Sequence, residues 1–148
     1  MQDEYQAFFE RLRDVSSITS ADVAREWSSI ARRRDPWRSM PLDDLLGELN
    51  AVIAVMLREV SRHDEHEPSL LELVARSHGS FRRRQAIARE SLTDEAIMLA
   101  EAFRAMLDRR GASRILADAV IAFLDRDLRL VRRATSAGYS DGPVCLRW

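Results

Sequence analysis

Lysine is absent from this chain, and all 23 of its basic residues are arginine. So complete a bias reflects the coding composition of a GC-rich genome more readily than a demand for guanidinium geometry at every site. No arginine cluster therefore counts as a binding site by itself. Cysteine occurs once, as Cys145, which excludes an internal disulfide framework and suits a reducing compartment. An excess of one charge is also missing: 24 acidic residues offset the arginines to a net charge of -1, leaving no overall pull toward nucleic acid or anionic membrane. No run of about 18 apolar residues offers a membrane span, and the acidic start Met1-Gln2-Asp3-Glu4-Tyr5 lacks the basic and apolar regions of a signal peptide. The expectation is a soluble, cytoplasmic protein. Internal repeats, low-complexity stretches and alternating apolar segments long enough for a strand are missing as well, which leaves an all-α chain.

What is present is an apolar period near 3.6. Tyr5, Phe8, Phe9 and Leu12 mark a first helix, and Thr19-Ser20 caps a second that carries Val23, Trp27 and Ile30 and closes at Asp35-Pro36. Pro41 opens a third helix, dense in leucine and valine as far as Val60, whose apolar positions cover more than one face and predict a deeply buried central element. Ser61 to Glu67 reads as a loop. Pro68 reopens a helix to about Ile87, bent at Gly79, and Ser91 or Thr93 offers the cap of the next, which stops at Gly111. The last helix spans roughly Ser113 to Ala137, with more apolar residues than one contact face needs.

The most informative stretch is Ala75 to Glu90, which sets His78-Gly79 and Arg82-Arg83-Arg84 inside an amphipathic helix. His78 is a candidate ligand for haem iron or another metal, with Arg82 one turn on, but it has no His, Cys, Asp or Glu at ligand spacing within a turn. A hydrogen-bonded structural histidine is the preferred reading. His63 and His66, with Asp64, Glu65 and Glu67, read as a solvated loop cluster. The triplets Arg32 to Arg34 and Arg82 to Arg84 fan round their helices, so intrahelical and surface pairing is expected of them. Ile18 to Trp27 faintly suggests the start of a helix-turn-helix, with Arg32 to Arg34 as phosphate anchors, against the neutral overall charge. Trp27 is expected in the core. No nucleophile and base come together, and no catalytic residue is assigned.

Three segments are familiar as a set: Trp27 through Arg32-Arg33-Arg34 to Pro41-Leu42-Asp43-Asp44-Leu45-Leu46-Gly47-Glu48-Leu49; His78-Gly79 with Arg82-Arg83-Arg84-Gln85 and a restart at Ser91-Leu92; and the close at Ala137-Gly138-Tyr139. In that order they resemble the N-terminal sensor domain of the RsbR group of stressosome proteins, also found ahead of some bacterial histidine kinases. Ala102-Phe103-Arg104 departs from the family, where a Glu-Tyr pair is expected. The resemblance implies a haem-free, globin-like helical fold that dimerises and feeds an environmental or partner signal to an output domain.

The expectation is thus a single globin-like bundle of about six helices over residues 1–139, with 140–148 as a tail or linker stub. It acts as a non-enzymatic bacterial signal-transduction module in stress response, with a protein partner, room for a small ligand, and no cofactor, metal, nucleic acid or membrane. Leu116, Val120, Phe123, Leu124 and Val131 are expected at a homodimer interface, and His78 and Arg82 at a ligand or partner contact. Two other readings stand beside it. One is a haem-binding sensor with His78 on the iron and Leu73, Val74, Phe81 and Met98 as walls; the other is a DNA-associated transcriptional regulator using Thr19 to Arg34.

Overall fold

The computed structural model describes residues 19–60 and 70–142, apart from the side chains of 58–60 and 123. The readings at residues 5–12, at the His63/His66 cluster and at Cys145 lie outside the described residues. Within them the protein is an all-α bundle of six α-helices and one 3-10 turn, with no strand. No helix among the described residues is long and apolar enough to cross a membrane.

Helix α1 (Ser20–Ala31) starts where the sequence says it should. Thr19 Oγ1 accepts from the Asp22 amide at 3.2 Å, and Asp22 Oδ2 accepts from the Thr19 amide at 3.1 Å, a reciprocal capping box. Those bonds to Thr19 hold the Asp22 carboxyl below its ordinary range. Val23, Ala24, Trp27 and Ala31 form its buried stripe, and a 3-10 turn (Trp37–Ser39) brings Trp37 edge-on to Trp27 at 5.7 Å.

The expected single helix from Pro41 to Val60 is two helices, α2 (Leu42–Leu46) and α3 (Leu49–Val60). Gly47 separates them at φ +52°, and a Cβ there would stand 2.7 Å from the Phe81 ring. Helix α3 buries one face, Leu49, Val52, Ile53 and Met56, while Leu42 on α2 is exposed, so the reading of a helix buried all round does not hold.

Helix α4 (Leu70–Arg84) continues unbroken through Gly79 and ends earlier than expected. Ala86 takes a left-handed φ of 59°, its amide donating to Arg83 O and that of Ile87 to Arg82 O, which is the Schellman pattern without its usual glycine. Helix α5 (Arg89–Arg109) therefore has its N-cap at Ala88, ahead of the expected caps Ser91 and Thr93, and stops at Gly111 as expected, in a second Schellman turn.

Helix α6 (Arg114–Asp141) is capped by Ser113 and continues through Gly138 to Gly142, past the expected end at Ala137 and into the segment taken as a tail. Its stripe Ala117, Val120, Leu124, Leu128, Val131 and Ala134 lines the core. Helices α4 and α6 form the most extensive pair. The cause is reciprocal: a Cβ on Gly79 would stand 1.9 Å from Thr135 O, and one on Gly138 the same distance from Arg76 O. The two helices touch backbone to backbone because both positions lack a side chain.

Candidate functional site

His78 and Arg82 lie one turn apart on the face of α4 that Leu71 and Ala75 bury, so the helix carries both polar groups into the core. Glu95 occupies the equivalent place on α5, within the buried series Leu92, Glu95, Leu99, Ala102. The three side chains meet there, His78 exposed at 1 %, Arg82 at 0 % and Glu95 at 3 %.

The arrangement is a dense clamp. His78 Nε2 donates to Glu95 Oε1, which also accepts from Arg82 NH2 at 3.1 Å and Nε at 3.3 Å. Arg82 NH1 donates to Asp44 O at 2.9 Å and Gln85 Oε1 at 2.8 Å, and NH2 also donates to Leu45 O. All the N–H groups of the guanidinium are thereby engaged. Its central carbon Cζ lies over both indoles, 4.8 Å from the Trp37 ring centre and 6.0 Å from that of Trp27. Trp27 Nε1 donates to the Glu95 carbonyl at 3.2 Å, tying α1 to the same point. A lysine could supply neither the fork nor the stacking.

Burial by itself raises the Glu95 carboxyl pKa, but the charges of His78 and Arg82 and their hydrogen bonds outweigh it and lower the value from the ordinary 4.5 to about 2. Glu95 is thus held ionised. Beside the clamp is a cavity of about 10 Å³, lined by Leu49, His78, Glu95, Leu99, Arg132 and Thr135 among others. It is far below the several hundred Å³ of ordinary ligand pockets.

His78 and Arg82, expected to touch a ligand or partner, are instead inside the protein, and Arg82 departs from the surface pairing expected of its triplet. The other two arginines follow that expectation: Arg83 donates to the Tyr139 and Ser140 carbonyls at the C-terminal end of α6, and Arg84 covers the Phe81 ring. Sequence reasoning missed Glu95, whose signal was an acid in an apolar register; its partners lie 13 and 17 residues away on another helix.

The expected dimer face is also corrected. Val120, Leu124 and Val131 are buried in the chain's own core, Leu116 is half-buried against it, and the Phe123 side chain lies outside the described residues. For the haem reading, Met98 is core, Leu73, Val74 and Phe81 are half-buried, and Nε2 of His78 is engaged by Glu95. For the DNA reading, the segment carries acids of its own, Asp22 paired with Arg110 and Glu26 with Arg109, and its Arg34 pairs with Glu101 of α5. Among the described residues no group of three or more His, Cys, Asp or Glu is placed to hold a metal ion.

No family model, no curated protein and no solved structure matches the chain.

Proposed function

We propose that the chain is a non-enzymatic bacterial signalling module of the cytoplasm, a haem-free, globin-like sensor domain that dimerises and relays a ligand or partner signal in a stress response. The observation that supports this reading is the place of His78-Gly79 and Arg82, the stretch on which the resemblance to RsbR-type sensors rests. His78 and Arg82 couple α4 to α5 and α2 from inside the core, and Gly79 sets the approach of α4 to α6. A stimulus that displaces one of these contacts has to move whole helices, because close-packed cores switch between discrete arrangements and do not deform smoothly.

The dimer contact takes a different surface in this proposal. Ile115, 84 % exposed at the start of α6, is an apolar side chain left for a second copy, with the half-buried Leu116 beside it. The haem-binding alternative requires His78 to leave Glu95 and the adjoining cavity to grow by more than tenfold.

The deciding experiment is an absorption spectrum of the purified protein before and after haem is added, taken on a column that reports mass. The expected result is a colourless dimer. A Soret band abolished by replacing His78 puts the haem-type sensor in its place, and a monomer across the micromolar range removes the dimer from the proposal.

A further inference from the structure

The last turn of α6 is gripped by one short stretch of chain. Tyr139 Oη donates to Ile87 O at 2.7 Å, and Arg83 NH1 donates to the Tyr139 and Ser140 carbonyls at 3.1 and 3.0 Å. Arg89 donates to the Ser140 hydroxyl, with its Cζ 5.2 Å from the Tyr139 ring centre. The close backbone approaches, Gly79 to Thr135 and Gly138 to Arg76, come before this turn, so they hold the shaft of α6 while the side chains hold its end. Arg76 adds a weak contact, reaching Gly142 O at 3.5 Å.

Arg83, Ile87 and Arg89 share a second property. All three lie between Arg82 and Glu95, whose side chains pair across the mouth of the α4–α5 hairpin, 13 positions apart. That pair closes the segment into a loop and so removes freedom from everything within it. Arg82 also sets the turn directly. Its carbonyl accepts from the Ile87 amide at 3.1 Å, and its NH1 donates to Gln85, whose own side-chain amide donates to Asp44 O at 2.7 Å. Ile87 therefore stands between two hydrogen bonds, one given to Arg82 and one received from Tyr139.

We propose that the Arg82–Glu95 pair is the latch of a conformational switch. Closed, it holds the α4–α5 turn where Arg83, Ile87 and Arg89 clasp the end of α6; opened, it releases that end to fray beyond Gly138. The turn is short and tied at both sides, so it keeps its place or leaves it as a unit. The coupling is reciprocal: loosening the clasp weakens the pair by the same factor. This goes beyond the signalling reading by naming the part that moves. It stands whether the chain is a dimer or a monomer, which the mass measurement decides separately.

Amide hydrogen exchange on the whole chain, followed by NMR, tests the latch. Glu95→Gln should speed exchange at Ser140, Asp141 and Gly142 about tenfold, and leave Arg110 and Gly111 at the end of α5 at their wild-type rates, because a fraying end does not exchange through global unfolding. A double-mutant cycle in urea tests the reciprocal effect. Tyr139→Phe should change the unfolding constant about fivefold in the wild type and less than about twofold once Glu95→Gln has opened the latch. Unchanged exchange at 140–142, equal acceleration at 110–111, or additive effects in the cycle overturn the proposal. Arg82→Lys takes the place of Glu95→Gln in both arms if the glutamine variant fails to fold. Should neither fold, Tyr139→Phe decides: it should shift the His78 Nε2 resonance, which reports the bond to Glu95, and an unmoved resonance overturns the proposal.

Discussion

Replacing Glu95 with glutamine keeps the shape of the side chain and removes the charge that answers Arg82 and His78. The size of the effect follows from the site. Lowering the Glu95 pKa from 4.5 to about 2 means that the folded protein favours the carboxylate by about 3 kcal/mol, at ~1.4 kcal/mol per unit. Breaking a buried ion pair from one side costs a similar ~3–5 kcal/mol, because the remaining cation keeps its burial and loses its counter-charge. Arg82 retains the Asp44 and Leu45 carbonyls and Gln85, which places the expected loss for Glu95→Gln near the lower end, at about 3 kcal/mol. In a domain of 148 residues this corresponds to a drop of roughly 10 °C in Tm. Urea unfolding at pH 7, followed by far-UV circular dichroism, measures it, and near-UV dichroism reports the Trp27–Trp37 pair. The pH dependence is a separate signature. The folded pKa is depressed, so the stabilisation is complete above pH 4.5 and is lost as pH falls toward about 2. The difference between wild type and Glu95→Gln should therefore shrink over that window and be constant above it. A loss under 1 kcal/mol at pH 7, or a difference indifferent to pH between 4.5 and 2, refutes the reasoning.

Arg82→Lys should cost about 2–4 kcal/mol in the same urea assay despite its unchanged charge, because an ammonium cannot serve Asp44, Leu45, Gln85 and Glu95 together while keeping the cation over Trp37. Gly79→Ala should cost more than ~4 kcal/mol or prevent folding, since its methyl would meet a backbone carbonyl that cannot turn aside; a Tm near that of the wild type would show that α4 and α6 separate easily. Ala86→Gly should stabilise by about 1 kcal/mol, by relieving a left-handed alanine at an exposed turn, and calorimetry showing a lower Tm would count against that backbone reading.

Signals confined to one turn of chain were legible without coordinates. Thr19 ahead of α1, Ser113 at the start of α6 and Gly111 at the end of α5 act through hydrogen bonds spanning three to five residues, and these helix boundaries hold in the structure as read. The 3.6 period likewise specified an all-α bundle, because it decides which faces leave water. Glycine and arginine were harder to read, since their roles depend on what approaches them. Gly47 breaks a helix and Gly79 and Gly138 do not: the first has a positive φ and a ring against it, and the other two admit a neighbouring backbone. Arg82 differs from Arg83 only by its register on α4, which became meaningful once α5 laid Glu95 against it. The sequence by itself determined the helical class, the starts of α1 and α6, the stop of α5 at Gly111 and the lack of a one-sided charge. The tertiary structure alone decided that His78, Arg82 and Glu95 form one buried centre, because ionised groups enter a core only where packing delivers their partners, and these came from separate helices.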